Sequence, residues 1–262
     1  MTASLPWYPF RQLEDAYALF WSYLRTALRD RDIDAPDTLA KTEDFRAHWA
    51  TSDLLLSQCC GYHIATKAQK LEAVGVPHFL LKDIKPGQYK SVIVARKSDP
   101  AKHISEFRGR RAAFNEDQSY SGHTALLGEI PEKLRVRDFF STTVPTGSHI
   151  CSMEAVAKNQ ADVAAIDQVS FGLISEGYPD LAAQLHDIGK TKAAQAPPYV
   201  TSSARPEEEI DAIRDALVTT SRRPEVKSAL EAMRIRVIID ATNEDYLDLA
   251  KEIMAVEKSV GL

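Results

Sequence analysis

Short apolar segments alternate with segments of helical periodicity along almost the whole chain. Residues 90–96 favour a strand because Val92, Ile93 and Val94 are β-branched. Residues 10–31 carry apolar side chains three and four positions apart, which is typical of a helix. Such alternation predicts a layered α/β architecture, in which helices pack on the faces of sheets.

The same two patterns place the other expected elements. Further strands are expected at 53–57, 77–82, 110–114, 134–141, 161–166 and 235–239. Further helices are expected at 66–74, from 121 to about 128, and at 150–159, 168–175, 206–216, 224–233 and 246–258. Two candidate crossovers, near 94–97 and 197–201, enclose a segment of domain size. We therefore expect one lobe of residues 1–94 plus 199–262 and an inserted lobe of residues 95–198, with a cleft between them.

Composition excludes several functional classes. The 262 residues are 44% hydrophobic and 26% charged, which suits one large or two modest globular domains. A net charge of -5 argues against broad binding to nucleic acid or to anionic membranes, and no apolar run is long enough to span a bilayer. The first residues lack a secretory signal. We expect either a cytoplasmic protein or one whose signal peptide is not part of this sequence.

The cysteines and histidines indicate neither a metal site nor a disulfide framework. Cys59 and Cys60 are adjacent, and Cys151 leaves an odd total. No Cys/His spacing resembles a zinc site. Cys151 follows His149 by two residues, but side chains at that spacing seldom face each other at a helix start, and no third catalytic member is evident. We expect no cofactor, no metal and no catalytic residues.

The segment 114–127 carries the clearest functional signal. It passes from an expected strand into an expected helix and places Ser119, Ser121 and Gly122 at the helix start. The first amides of a helix have no partner inside it, and the helix dipole adds positive charge there. Hydroxyls and free amides at this point make an oxyanion site, although serine at a helix start often serves only as a cap.

Polar groups follow three other strands or turns in the same way. They are Ser57-Gln58 with Gly61-Tyr62, the turn Gly147-Ser148-His149, and Asp167. In open α/β sheets, ligands bind at the carboxyl ends of strands. These positions therefore define one candidate site.

At these residues the sequence resembles the phosphate/phosphonate-type substrate-binding proteins of ABC transporters, the group that includes the phosphonate-binding protein. The matching segments keep the family's order and lie between about residues 5 and 201. They are 53–62 (DLLLSQCCGY), 88–94 (QYKSVIV), 107–115 (FRGRRAAFN), 119–122 (SYSG), 147–149 (GSH) and 161–167 (ADVAAID). Any one segment is weak, whereas the ordered set is fairly specific.

The resemblance implies a type II periplasmic-binding-protein fold, with two α/β lobes, two crossover strands and a ligand cleft. It implies that Ser119, Ser121 and the amides of Ser121 and Gly122 hold phosphoryl-like oxygens, and that His149 adds a donor. It further implies that Asp167 meets a cationic or hydroxyl part of the ligand. The implied ligand-binding set is Ser57, Gln58, Tyr62, Tyr89, Ser91, Ser119, Tyr120, Ser121, Gly122, His149 and Asp167. Tyr62 and Tyr89 would line the cleft, and Ser91 would reach an oxygen.

Each of these roles has a purely structural alternative. Ser57 and Gln58 can simply end a strand, His149 and Asp167 can cap helices, and the tyrosines can belong to the core or its rim. Tyr120 and His123 are bulkier than the small residues expected in this turn. Arg108, Arg110 and Arg111 are interpreted as solvated charges that flank a strand. His63, His103 and His123 are interpreted as surface residues.

The functional prediction is a non-enzymatic binding protein for a small oxyanion of the phosphonate or phosphate class. By the resemblance, it would serve an ABC importer through a permease partner and lie in the periplasm. A cytoplasmic anion sensor or scavenger of the same fold stays an alternative, as does, less favoured, an enzyme built on that fold.

Overall fold

The computed structural model describes residues 1–5, 7–42 and 44–261. The strands, in chain order, are β1 (Thr2–Ala3), β2 (Leu54–Gln58), β3 (Leu71–Phe79), β4 (Gln88–Tyr89), β5 (Ser91–Arg96), β6 (Arg111–Phe114), β7 (Thr142–Pro145), β8 (Val163–Asp167), β9 (Leu185–Lys190), β10 (Ala194–Gln195), β11 (Tyr199–Ser202) and β12 (Ile235–Ile239).

The α-helices are mostly short, and several are preceded by a 3-10 turn. In chain order they are α1 (Glu14–Arg29), α2 (Phe45–Trp49), α3 (Gly61–Ala65), α4 (Ala125–Glu129), α5 (His149–Ala157), α6 (Gln168–Gly177), α7 (Pro179–Ala182), α8 (Glu207–Thr220), α9 (Lys227–Ala232) and α10 (Leu247–Val260). A π-helical turn, Tyr120–Thr124, leads directly into α4. Within the described ranges, no helix combines the length and the apolar composition that a bilayer span requires.

The chain divides into two compact units, each made of two segments. The first unit comprises Met1–Gln88 and Gln195–Leu249, and the second comprises Tyr89–Ala194 and Ala250–Leu262. Each unit has its own five-stranded sheet, and β4 pairs with β10 in a separate two-stranded sheet.

The first unit is built on a sheet of order β1-β2-β11-β3-β12. β11 lies antiparallel between β2 and β3, so the later segment of this unit completes the sheet begun by the earlier one. β2 is buried along its whole length, as its continuous apolar sequence indicates. Helix α1 packs against α8 and α9 and buries Phe20, Leu24 and Leu28.

The second unit is built on a sheet of order β7-β6-β8-β5-β9. β6 runs parallel to β7 and β8, whereas β5 runs antiparallel to β8 and β9. Parallel neighbours bring the carboxyl ends of β6 and β8 to one edge of the sheet, where the turns that follow them can meet. The core of this unit includes Phe107, Phe139 and Leu126.

Most of the sequence-predicted elements are confirmed, and two are wrong. Residues 66–74 were expected to form a helix, but they lead into β3, which is buried on nearly every residue. A strand buried on both faces shows no alternation, and its apolar run therefore cannot be told from a buried helix by periodicity. The strand expected at 134–141 is displaced to β7, an edge strand with mostly exposed residues. The sequence interpretation also missed the strands β1, β4, β9 and β10 and the short helices α2, α3 and α7.

The observed units differ from the expected lobes mainly at the C-terminus. The second segment of the expected first lobe, residues 199–262, ends at Leu249 in the structure, and Ala250–Leu262 belongs to the second unit. Val256 and Val260 join the apolar core of the second unit, so this end of α10 buries its apolar face there. An amphipathic helix shows that it has an apolar face but not which sheet covers that face.

Candidate ligand-binding site

The turn after β6 is held by its own serine. Ser119 precedes the π-helical turn with extended backbone, and its Oγ accepts the N–H of Gly122 at 3.2 Å. The carbonyl of Ser119 accepts the N–H of Thr124 at 3.2 Å, which gives the wide turn. Such π-helical turns are rare in proteins as a whole, but those that occur are often found at functional sites. The Gly122 amide, which was expected to face a ligand, is used here to fix the side chain of Ser119.

The turn after β7 brings a histidine to the same place. Gly147 has φ +80°, a left-handed conformation that glycine adopts without strain. Ser148 then caps α5 by accepting the N–H of Cys151 at 3.2 Å. His149 is the first residue of α5, and its Nε2 lies 3.1 Å from the Oγ of Ser121. Two turns that are far apart in sequence are therefore joined by one side-chain hydrogen bond.

His149 is held in its neutral form. Burial lowers the pKa of His149 to about 4, because an enclosed imidazolium loses its hydration. Its Nδ1 is buried and has no hydrogen-bond partner in the part of the chain that the structure describes. A neutral imidazole carries a single N–H, so only one of its two nitrogens can donate at pH 7.

Ser91 and Asp167 lie next to each other behind the serine turn. They are paired in register across β5 and β8, and both are buried. The hydroxyl of Ser91 donates to the carbonyl of Ser121 at 2.9 Å, so it supports the turn. Asp167 Oδ1 accepts the N–H of Ser170 at 2.8 Å and thus caps α6. The capping role of Asp167 is observed, and its contact with a ligand stays a prediction.

The two large residues of the serine turn point in different directions. The buried Tyr120 donates its hydroxyl to Glu252 Oε1 at 3.0 Å, which ties the turn to the C-terminal helix. The ring of His123 packs against Phe114 with ring centres 4.4 Å apart. His123 is therefore half-buried, and its interpretation as a surface residue is wrong. Tyr89, also predicted as a ligand residue, is 2% exposed.

Two of the predicted residues of the first unit, Ser57 and Gln58, lie in its core. Ser57 is fully buried, and its Oγ accepts the indole N–H of Trp49 at 3.1 Å and lies 2.9 Å from Ser4 Oγ. Ser4 Oγ in turn lies 2.8 Å from His48 Nε2. Gln58 donates from Nε2 to the carbonyl of Pro197 at 3.0 Å. These contacts fit the structural alternative for both residues, and their ligand role stays a prediction.

Helix α3 carries two aromatic residues with different surroundings. Tyr62 is half-buried, whereas His63 is 3% exposed, so the interpretation of His63 as a surface residue is also wrong. The His63 ring packs on Trp49 at 4.9 Å between ring centres. Burial, and to a lesser extent the positive charge of Arg46, lowers the pKa of His63 to about 4. His103 is exposed, as predicted.

The arginines near β6 take part in ion pairs within the second unit. Arg110 contacts Asp99 at 2.8 Å, and Arg111 contacts both carboxylate oxygens of Asp162. Arg96 contacts Asp162 as well, at 2.7 Å, and these arginines hold the pKa of Asp162 well below its usual range. Arg110 and Arg111 therefore flank the strand, as interpreted, although their charges are paired.

Other features contribute little to the site. A groove of about 570 Å³ in the first unit is lined by α1 and the segment 37–42, and none of the predicted residues is among its described lining. Within residues 1–5, 7–42 and 44–261, no group of three His, Cys, Asp or Glu residues is placed to hold a metal. Cys59, Cys60 and Cys151 form no disulfide bond, and Cys59 and Cys60 are buried.

Asn115 is the residue at this site whose role sequence reasoning missed. It lies within a segment that matches the family, but nothing in its type suggested more than the end of a strand. The structure packs its side chain directly against Gly122. The only available signal was its position between β6 and the serine turn.

Comparison with known proteins identifies the family. The family model described as the periplasmic substrate-binding protein of ABC phosphonate transporters matches residues 3–246. The chain belongs to this family. The match covers nearly the whole chain and includes the serine turn, His149 and Asp167. Among curated proteins, none matches the sequence.

Solved structures agree on the fold. A binding protein component of an ABC phosphonate transporter from Pseudomonas aeruginosa has a TM-score of 0.76 at 15% identity, over 99% of this chain and 87% of that chain. PhnD1 from Prochlorococcus marinus, solved with methylphosphonate, has a TM-score of 0.76 at 16% identity, over 98% and 97%. XAC2383 from Xanthomonas citri, solved with ATP, has a TM-score of 0.73 at 14% identity, over 99% and 98%. The fold is that of the type II periplasmic binding proteins.

Proposed function

We propose that this protein is the solute-binding component of an ABC importer for a small oxyanion of the phosphonate or phosphate class. Ser119, Ser121 and His149 form the oxyanion-binding part of the second unit. The protein binds its ligand without chemical change and delivers it to a permease. Its working compartment is the periplasm, as in the family to which it belongs.

The observation that carries the proposal is which hydrogen bonds Ser119 and Ser121 already make within the protein. Ser119 Oγ accepts from the Gly122 amide, and Ser121 Oγ lies within hydrogen-bond distance of His149 Nε2. When the single N–H of neutral His149 is on Nε2, both serine oxygens accept one hydrogen bond from the protein. Each hydroxyl hydrogen is then available for an acceptor. The two oxygens lie 3.5 Å apart, so both can donate to one tetrahedral anion.

Donors of this kind suit an oxyanion in particular. Hydrogen bonds to a charged acceptor are shorter and stronger than those between neutral groups. The donors are held before the ligand arrives, because the Gly122 amide fixes Ser119 and His149 fixes Ser121. Little ordering free energy is therefore lost on binding. The methylphosphonate of PhnD1 and the ATP of XAC2383 both present phosphoryl-type oxygens, which supports this ligand class.

Isothermal titration calorimetry and thermal-shift measurements test the proposal. The ligands are methylphosphonate, phosphate, phosphite, sulfate and methanesulfonate, and the neutral dimethyl ester of methylphosphonate is the matched control. We expect at least one phosphorus oxyanion to bind and to raise the melting temperature, because a ligand that binds only the native state stabilises it. The ester should not bind. Absence of binding by every oxyanion, or equal binding of the ester, would contradict the proposal.

A further inference from the structure

Asn115 holds the turn that carries His149 through the main chain. Its carbonyl accepts the N–H of Gly147 at 2.9 Å. The carbonyl of the preceding Phe114 accepts both the N–H and the hydroxyl of Thr146, at 2.9 and 3.0 Å. The end of β6 therefore fixes the start of the histidine turn by three hydrogen bonds.

The side chain of Asn115 meets the serine turn. A Cβ atom added to Gly122 would lie 1.8 Å from Asn115 Oδ1 and 2.9 Å from its Cγ. The same atom would lie 3.4 Å from His149 Cε1. The amide of Asn115 therefore occupies the space that any side chain at position 122 would need, and Gly122 is required here by its neighbour, since it is not in a left-handed conformation.

This packing leaves a polar atom without a hydrogen bond. Asn115 Oδ1 is buried, and it has no hydrogen-bond partner in the described part of the chain. It lies against the Cα of Gly122, where at most a weak C–H···O contact is available. A buried amide oxygen without a donor costs free energy, and such groups are uncommon in native proteins. A smaller or apolar residue would avoid this cost, so the contact itself needs a reason.

We propose that Asn115 is a positioning residue, which sets the distance between the serine turn and the histidine turn and thereby the affinity for the oxyanion. Its main chain fixes the position of Gly147, and its side chain packs against Gly122 and limits how closely the serine turn can approach. Ser121 Oγ and His149 Nε2 are thereby held 3.1 Å apart. Asn115 does not contact the ligand in this role. The inference rests on the proposed function, because the affinity that it sets is the affinity for the oxyanion.

A double-mutant cycle tests the role. The variants are Asn115→Ala, Gly122→Ala and the two combined, with Gln118→Ala in the same loop as the control. Gly122→Ala should weaken methylphosphonate binding by at least about 100-fold, because the new methyl group collides with the Asn115 amide, and Asn115→Ala should weaken it by about 10-fold. The double variant should bind at least about 10-fold more tightly than Gly122→Ala, because the space is then free. Gln118→Ala should bind as wild type does.

A second readout separates positioning from general stability. The imidazole resonances of His149, measured by nuclear magnetic resonance, report its tautomer and its contact with Ser121. Asn115→Ala should change them, whereas Gln118→Ala should not. This measurement needs no ligand, so it stands even if methylphosphonate fails to bind the wild-type protein, a result that would count against the proposed function alone. Unchanged His149 resonances in Asn115→Ala, or a folded double variant no tighter than Gly122→Ala, would overturn the inference. If Gly122→Ala does not fold, Asn115→Ala alone decides.

Discussion

The two units each contain a cluster of two serines and one histidine, and the clusters differ in how their hydrogen bonds are completed. In the first unit, Ser4 and Ser57 meet His48, and in the second unit Ser119 and Ser121 meet His149. The first cluster forms a closed chain when His48 Nε2 carries no hydrogen: the indole of Trp49 then donates to Ser57, Ser57 to Ser4, and Ser4 to His48 Nε2. Every hydroxyl hydrogen in that chain has an acceptor inside the protein.

The second cluster is open when the single N–H of neutral His149 is on Nε2. In that tautomer the Gly122 amide donates to Ser119, His149 donates to Ser121, and the two serine oxygens lie 3.5 Å apart. Asn115 Oδ1 and His149 Nδ1 are buried nearby and have no hydrogen-bond partner among the described residues. Residue types alone do not separate the two clusters. What separates them is whether the protein itself satisfies the polar groups, because a closed network stabilises the fold whereas an open one is poised for a ligand.

The largest expected effect is a loss of stability in acid through His63, which lies beside the first cluster. The pKa of His63, which packs on Trp49, is about 4 in the folded protein and about 6.5 in the unfolded chain. Between these values the unfolded chain binds more protons, so stability is fully present above pH 6.5 and is lost as the pH falls towards 4. The loss from this group should reach about 3 kcal/mol. Urea denaturation at several pH values should show a shallower acid loss in His63→Gln.

The exposed His103 supplies the matched control for the acid experiment. His103→Gln should keep the wild-type dependence of stability on pH, since it removes an exposed imidazole and leaves the buried His63 in place. Equal pH dependence in His63→Gln and the wild type would show that His63 is not the group responsible.

The next largest effect is expected from a substitution that breaks the closed chain of hydrogen bonds in the first cluster. Ser57→Ala leaves the indole N–H of Trp49 and the hydroxyl of Ser4 without their partner in a fully buried place. The free energy of unfolding should fall by about 2 kcal/mol, measured by urea denaturation. Oxyanion affinity, measured by calorimetry, should change less than twofold. An affinity loss of 10-fold or more in a folded Ser57→Ala protein would show that Ser57 binds the ligand, as the family resemblance implied.

The opposite pattern is expected in the open cluster. Replacing both Ser119 and Ser121 with Ala should weaken oxyanion binding by at least about 2 kcal/mol, since each serine loses one charge-assisted hydrogen bond. Stability should fall by no more than about 1 kcal/mol, the usual cost of a lost cap. The control is the pair of exposed serines replaced together, Ser98→Ala with Ser141→Ala. Unchanged affinity in a folded double variant would remove these serines from the site.

The smallest effect is expected from a substitution of Asp167, which tests whether this residue belongs to the ligand site beside the open cluster. Asp167→Asn keeps an N-cap for α6, because Asn caps helices as well as Asp does, and stability should change by less than about 1 kcal/mol. Affinity for an amine-bearing phosphonate should fall, since the amine loses its carboxylate partner, whereas affinity for methylphosphonate should hold or rise. Calorimetry with the two ligands compares these outcomes. If neither affinity changes, and the pH dependence of phosphate binding is also unchanged, Asp167 serves only as the helix cap.

Local sequence determined much of the fold. β5, β8 and β12 follow from short β-branched or apolar runs, and α1 and α8 from helical periodicity, because these patterns reflect neighbours only a few residues away. The family and its serine turn were also evident from sequence, since they rest on ordered local segments. The first part of β3 was mistaken for a helix because burial on both faces erases the alternation that marks a strand.

Only the tertiary structure decided which residues from distant segments contact each other. The sequence by itself determined that Ser57, Ser119 and His149 follow strands or begin helices. It did not determine that Ser57 would be enclosed by Ser4 and Trp49, or that Ser121 would meet His149, which lies 28 positions further along the chain. It also did not place Asn115 against Gly122. Hydrogen-bond completion depends on which groups the sheets bring together, and that is fixed by strand order and packing, which no local pattern encodes.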